Sequence, residues 1–177
     1  MEHNPILLLD VDGPLNPYAA KATQRPEGYE THRMRPSGFL MQNALRVWLN
    51  PLHGEKLLNL GYDLVWATMW EDEANEWIAP HIGLPELPFI SFKGASWFGN
   101  GDLYVKTKTI AQTMNEEYAG VPFIWIDDET TAADTNYLRN NCPVRSKIFT
   151  INPRIGLLDR DFDEIKAYKA KLMRWSS

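Results

Sequence analysis

Two pairs of carboxylates mark the chain by their spacing. Asp10 and Asp12 flank a single valine in "LLLDVDGP", and Asp127 and Asp128 are adjacent in "FIWIDDE". Each pair closes a run of bulky apolar residues. On an extended chain, residues two apart project to the same side, so Asp10 and Asp12 share a face. Carboxylates this close raise each other's cost of ionisation unless a cation shares them. Taken singly, "DVDGP" suits a turn, because Asp and Gly favour turns. "DDE" likewise suits the cap and first turn of a following helix. Two buried strands that each end in paired acids point instead to one shared site. A divalent cation relieves the repulsion of four converging carboxylates, and hard oxygen ligands of this kind suit Mg²⁺.

Two more residue types fit beside them. Thr68 follows "DLVWA" directly. Its hydroxyl, and the backbone N–H of Met69 after it, can donate to an anionic oxygen. Taken alone, Thr68 reads first as a β-branched residue at a strand end. Lys106 opens a predicted helix, where a cation opposes the helix dipole. That local conflict suits a lysine that holds a bound anion. Lys108 lies two positions on and points to nearly the opposite side, so one of the two faces the cleft, and the alternative is that both are solvated. Cys142 is the sole cysteine. With no histidine near it in sequence, it reads as a small buried apolar residue rather than a nucleophile, and no intramolecular disulfide can form.

The elements that must position these groups alternate strand and helix. "PILLLDV", "YDLVWAT", "PFISF", "VPFIWIDD" and "SKIFTI" read as five strands, the first two of them buried and the fourth apolar. "GYETHRMRP" and "NALRVWLN" pair as a hairpin or flap within the insertion after the first strand. A short helix over roughly 51–60 points Leu52, Leu57, Leu58 and Leu60 inward and stops at Gly61. "WEDEANEWIAPHIG" reads as one helix with Glu71, Asp72 and Glu73 in its first turn. "VKTKTIAQTMNEEYAG" carries Ile110, Met114 and Tyr118 on one side, and "TAADTNYLRNN" forms the next helix. The last helix stripes Ile165, Tyr168, Leu172 and Trp175, with Asp161 and Glu164 at capping-box spacing.

Alternating strands and helices imply an α/β fold: three layers around a Rossmann-like parallel sheet of about five strands. In such sheets ligands bind outside the carboxyl ends of the strands. Asp10, Thr68 and the Asp127–Asp128 pair each stand at such an end, so neighbouring strands would bring them into one cleft. The length of 177 residues matches one domain, 1–177, with approximately 13–50 as a flap or minimal cap.

The net charge of −5 and pI near 5.4 exclude extended non-specific nucleic-acid binding, whose affinity comes mainly from Lys and Arg. A single nucleic-acid end remains compatible. The N-terminal apolar run is too short for a signal peptide, and no run reaches the ~20 apolar residues of a membrane helix. The expectation is a cytoplasmic protein of unspecified oligomeric state.

Together these residues resemble the haloacid dehalogenase (HAD) superfamily of phosphohydrolases. "LLLDVDG" is similar to its first motif, Thr68 in "LVWATMW" to its second, Lys106 to its third and "FIWIDDE" to its fourth, all in order. Receiver domains also combine acids, Thr and Lys, but there the acid pair precedes a lone acceptor Asp on a later strand. The resemblance implies that Asp10 attacks phosphorus and forms an aspartyl-phosphate. Asp12 then serves as general acid and base. By the same resemblance, Mg²⁺ would be held by Asp10, the Asp12 carbonyl and the Asp127–Asp128 pair. Phosphoryl oxygens would be held by the amides of Val11 and Asp12, by Thr68 and Met69, and by Lys106. Asp12 favours phosphoryl transfer, since the dehalogenases of the superfamily lack that second acid. Pro14 departs from the usual Thr or Val and removes one backbone donor.

No large cap fits between Thr68 and Lys106. An open cleft suits a bulky phosphorylated substrate, in which the chain is similar to HAD domains of nucleic-acid end-repair phosphatases. Arg25, Arg33 and Arg35 in the flap could contact a phosphate backbone, and Trp66, Trp70 and Trp97 could stack on a base. The alternative is a catalytically silent HAD-like binding or assembly protein, since fold alone does not prove activity.

Overall fold

The computed structural model describes residues 4–37, 43–96, 98 and 100–173. In chain order its elements are β1 (Ile6–Leu9), β2 (Glu30–Met34), β3 (Leu45–Leu49), α1 (His53–Leu58), β4 (Asp63–Trp66), α2 (Glu73–Trp77) and α3 (Ala79–Ile82). They continue with α4 (Thr107–Glu116), β5 (Phe123–Asp127), α5 (Ala132–Asn141), β6 (Ser146–Thr150) and α6 (Asp159–Met173).

β1 is buried at every position because it lies inside a parallel sheet of order β4-β1-β5-β6 with apolar layers on both faces. Its side chains alternate between them. Leu7 and Leu9 join Leu57 of α1, Ile82 of α3 and Phe162 and Ile165 of α6. Ile6 and Leu8 join Ile110 and Met114 of α4 and Leu138 of α5. A continuous apolar run is therefore what this position requires, and the expected three-layer α/β sandwich is the observed one. β2 and β3 form the antiparallel hairpin expected after the first strand, with Met34, Val47 and Leu49 buried in the same layer as Leu7 and Leu9. Among the described residues no helix is long and apolar enough to cross a membrane.

Several local expectations are corrected. Among the described residues the sheet has four strands. "PFISF" runs beside β4 but adds only one bridge, between Trp66 and Phe89, through Trp66 N–H to Pro88 O and Ile90 N–H to Trp66 O, each 2.8 Å. Residues 70–83 are not one helix. Pro80 falls where α2 would continue, so the chain breaks at Ile78 and restarts as α3, with Pro80 near its N-terminus. Glu71 lies outside the first turn, at φ 49°, and its carboxylate accepts the Phe92 N–H at 2.8 Å. Leu52 and Leu58 are exposed, while Leu57 and Leu60 are buried, because α1 is too short to present four inward positions.

Asp161 is not an N-cap paired with Glu164. It accepts the N–H of Leu158 from inside α6, and Glu164 pairs with Lys147. Trp97 and Trp175 lie outside the described residues.

Candidate active site

The parallel register decides which side chains meet. Leu9 stands opposite both Trp66 of β4 and Ile126 of β5. The residues that follow β1 and β4, together with the end of β5, therefore lie side by side at one sheet edge. Asp10, Ala67–Thr68 and Asp127 occupy that edge, and all are buried. Lys106 precedes α4 and reaches under them, 1% exposed. Its Nζ lies 2.8 Å from Asp10 Oδ2, 2.9 Å from Asp127 Oδ2 and 3.0 Å from the Ala67 carbonyl. Those acceptors use all three ammonium donors. Lys108 is exposed, so Lys106 is the lysine of the site.

Asp10, Asp127 and Asp128 each present a carboxylate oxygen, all within 4.8 Å of one another. Their crowding is visible in their proton affinity. Burial raises Asp10 above the usual carboxylate range against the pull of Lys106. Burial and the Asp10 charge push Asp127 up to about 7. Burial and the Asp127 charge push Asp128 up to about 6. Three crowded hard oxygen donors that resist joint ionisation fit a divalent cation.

Asp12 has a different environment. Its Oδ1 accepts Asn16 Nδ2 at 2.8 Å, and its Oδ2 accepts Trp70 Nε1 at 2.9 Å. Burial raises its pKa, and these two neutral donors partly counter the shift. Asn16 also accepts the Trp48 N–H at 3.0 Å, which ties β3 to the acid. Gly13 holds the turn at φ 92°, and a Cβ there would come within 2.4 Å of Asp128 Cγ. Only glycine lets the first acid loop pass this close to the second. Pro14 is accommodated: it is buried in the turn and its carbonyl accepts the Leu157 N–H at 2.9 Å.

The other anticipated residues divide. The Thr68 hydroxyl bonds the Asp10 carboxylate and also accepts the Trp70 N–H at 3.3 Å. Met69 is exposed and lines the cleft. The Val11 N–H donates to Asp10 Oδ1 at 2.8 Å. Trp66 offers no face for stacking; it is fully buried, with Nε1 on Asn75 Oδ1. Trp70 borders the cleft but is buried, its indole N–H given to Asp12. Arg25, Arg33 and Arg35 are exposed and none lines the cleft.

Residues that sequence reasoning passed over complete the walls. Tyr18 donates its hydroxyl to Asp128 Oδ2 at 3.1 Å, Tyr104 bonds Glu129 at 2.8 Å, and Arg46 projects from β3. The cleft they share with Asp10, Asp12 and Lys106 has a volume of about 300 Å³. Asn16 had one signal available, a polar residue inside the otherwise apolar "GPLNP" turn. Arg46 had none, because its placement depends on how the hairpin docks.

A family model described as the HAD domain in Swiss Army Knife RNA repair proteins matches residues 6–162. No curated protein and no solved structure matches the chain.

Proposed function

The chain belongs to the family of HAD domains in Swiss Army Knife RNA repair proteins, and from that premise we propose that it is a Mg²⁺-dependent phosphomonoesterase acting on nucleic-acid ends. The observation that carries this reading is the separation of roles between two neighbouring acids. Asp10 lies against Lys106 and the acid cluster, whereas Asp12 is held apart by Trp70 and Asn16 with a raised pKa.

Asp10 attacks phosphorus, the P–O bond to the leaving group breaks, and Asp12 gives its proton to the departing oxygen. Asp12, now a carboxylate, takes a proton from water. The water oxygen bonds phosphorus, the P–O bond to Asp10 breaks, and inorganic phosphate leaves. Thr68, Lys106 and the amides of Val11, Asp12 and Met69 orient the nucleophile and the phosphoryl oxygens. Asp10, Asp127, Asp128 and the Asp12 carbonyl would hold the Mg²⁺, which offsets charge between carboxylate and phosphoryl group when bound. Residues 1–177 act as one domain, with approximately 13–50 as a minimal cap that leaves the cleft open to a bulky end.

The test is turnover of an aryl phosphate and of 3′- and 5′-phosphorylated oligonucleotides, with and without Mg²⁺. Asp10→Asn should lower the rate by on the order of 10³-fold or more while keeping the melting temperature. If wild type turns over none of these, and beryllium fluoride with Mg²⁺ does not raise its melting temperature, the reading is wrong.

A further inference from the structure

The cleft carries two cations among its described lining residues, Lys106 and Arg46. Lys106 is consumed internally by Asp10, Asp127 and the Ala67 carbonyl. Arg46 is not. Its guanidinium sits over the Trp48 ring, 3.7 Å from carbon to ring centroid. Nη2 reaches the Tyr18 carbonyl at a long 3.5 Å. Nη1 is shut off from solvent and has no hydrogen-bond partner, although a shielded guanidinium donor left unpaired is costly. In the hairpin register Arg46 also stands directly opposite Arg33. Like charges in that arrangement repel, and an anion between or beside them relieves both penalties.

The Tyr18 carbonyl meets Arg46 while the Tyr18 hydroxyl meets Asp128 of the acid cluster. One tyrosine therefore links the guanidinium to the acid cluster beside which a scissile phosphate would sit. Arg46 and Asp128 line the same cleft.

We propose that Arg46, clamped on Trp48, binds a second phosphate group of the substrate, one nucleoside away from the phosphate that is removed. Arg46 is thus a specificity-determining residue, and the favoured substrate class is a nucleoside with phosphates on both sides. The inference rests on the phosphatase reading and adds the substrate's second anchor. A guanidinium presents its donors in a planar fork that a lysine cannot reproduce. The second phosphate could belong to a free nucleoside 3′,5′-bisphosphate or to the phosphodiester next to an oligonucleotide end.

The experiment compares the KM of adenosine 3′-phosphate, adenosine 3′,5′-bisphosphate and a 3′-phosphorylated oligonucleotide on wild type, Arg46→Gln and Arg46→Lys, with melting temperatures measured alongside. Wild type should prefer the two-phosphate substrates over the monophosphate by about tenfold in KM, the size of one charge-assisted contact. Arg46→Gln should reduce that preference to about twofold or less, Arg46→Lys should restore only part of it, and kcat should move less than KM. Preference for the oligonucleotide over the bisphosphate assigns the contact to a phosphodiester, and the reverse assigns it to a free bisphosphate.

Equal KM for mono- and bisphosphate on wild type, or a preference that survives in Arg46→Gln, overturns the proposal. If wild type turns over nothing, the phosphatase reading fails separately, and the Arg46 site is judged by calorimetric binding of the same three compounds. Tighter binding of the two-phosphate compounds that Arg46→Gln weakens supports the site, and indifference to the substitution overturns it.

Discussion

Asp12 owes its proton to a balance of two opposed effects. Burial raises its pKa, and the N–H groups of Trp70 and Asn16, which favour the ionised form, hold the rise in check. A general acid must be protonated when the leaving group departs, so kcat/KM falls as pH rises through its pKa. Trp70→Phe removes the indole donor while keeping an aromatic ring. It should raise the Asp12 pKa further and move the basic limb of the kcat/KM profile to higher pH. A pH–rate profile of the two proteins on one substrate checks the direction. Asp12→Asn should lose about 10²–10⁴-fold in rate at every pH. Lys106 makes the complementary point. It is the shared counter-ion of two buried acids, and burial opposes its charge while Asp10 and Asp127 raise its pKa above the usual lysine range. Lys106→Met keeps the stem and deletes the charge, leaving both acids uncompensated. In metal-free buffer it should destabilise the fold by about 3–5 kcal/mol, measured by urea unfolding. Asp10, Asp12 and Lys106 were legible in the sequence because strand ends and helix starts fix them in one dimension. Arg46 and Tyr18 were not, because a docked hairpin and a turn bring them against the cluster, and Asn16 showed only as a polar residue in an apolar turn.

At the scale of elements, β1 and β5 were legible because each is a short run that both layers bury throughout, whereas β4 opens on an exposed Asp63 and β6 is mostly half-buried. "PFISF" reads as a strand as well, yet it opens on Pro88 and only a single bridge forms. Periodicity cannot tell a strand from an apolar edge segment of that length. The break between α2 and α3 was written in Pro80, and the amphipathic pattern across it concealed the break. α1 shows how one buried group ties elements together. His53 opens it, 2% exposed, with its ring against Tyr29 and against Phe162 of α6. Its Nδ1 has no partner. Burial, with help from Lys56, lowers its pKa to about 4. The unfolded chain therefore takes up a proton near pH 6.5, while the folded chain resists until about pH 4. Stability is full above pH 6.5 and is lost as pH falls between those values, by about 3 kcal/mol for this residue. His53→Phe keeps the ring packing and removes the titration. Its urea-unfolding free energy, compared between pH 7.5 and pH 4.5, should fall by about 2–3 kcal/mol less than that of wild type.

At the scale of the whole molecule, folding does something the unfolded chain avoids: it gathers the acids of two distant segments at one sheet edge. Asp127, at about 7, and Asp128, at about 6, both lie above the ordinary value of 3.8. The metal-free folded state therefore binds more protons than the unfolded one between those limits. By linkage, this cluster's contribution to stability falls as pH rises from about 4 to 7. The His53 contribution runs the other way over an overlapping range, so a single pH–stability curve mixes the two. The difference between Mg²⁺ and EDTA separates them, because His53 titrates alike in both buffers. A divalent ion must displace the protons from Asp127 and Asp128, so its affinity weakens as pH falls below about 7. The gain in melting temperature on adding Mg²⁺ should be largest near pH 8 and shrink towards pH 5.5. In Asp127→Asn the gain should be small at every pH. A gain independent of pH in wild type, or an undiminished gain in Asp127→Asn, would place the ion elsewhere than on the edge where β1 and β5 end. The same measurement bears on why Gly13 is there. Gly13→Ala forces a Cβ against Asp128 and should also reduce the Mg²⁺-dependent gain, although position 13 carries no ligand side chain of its own.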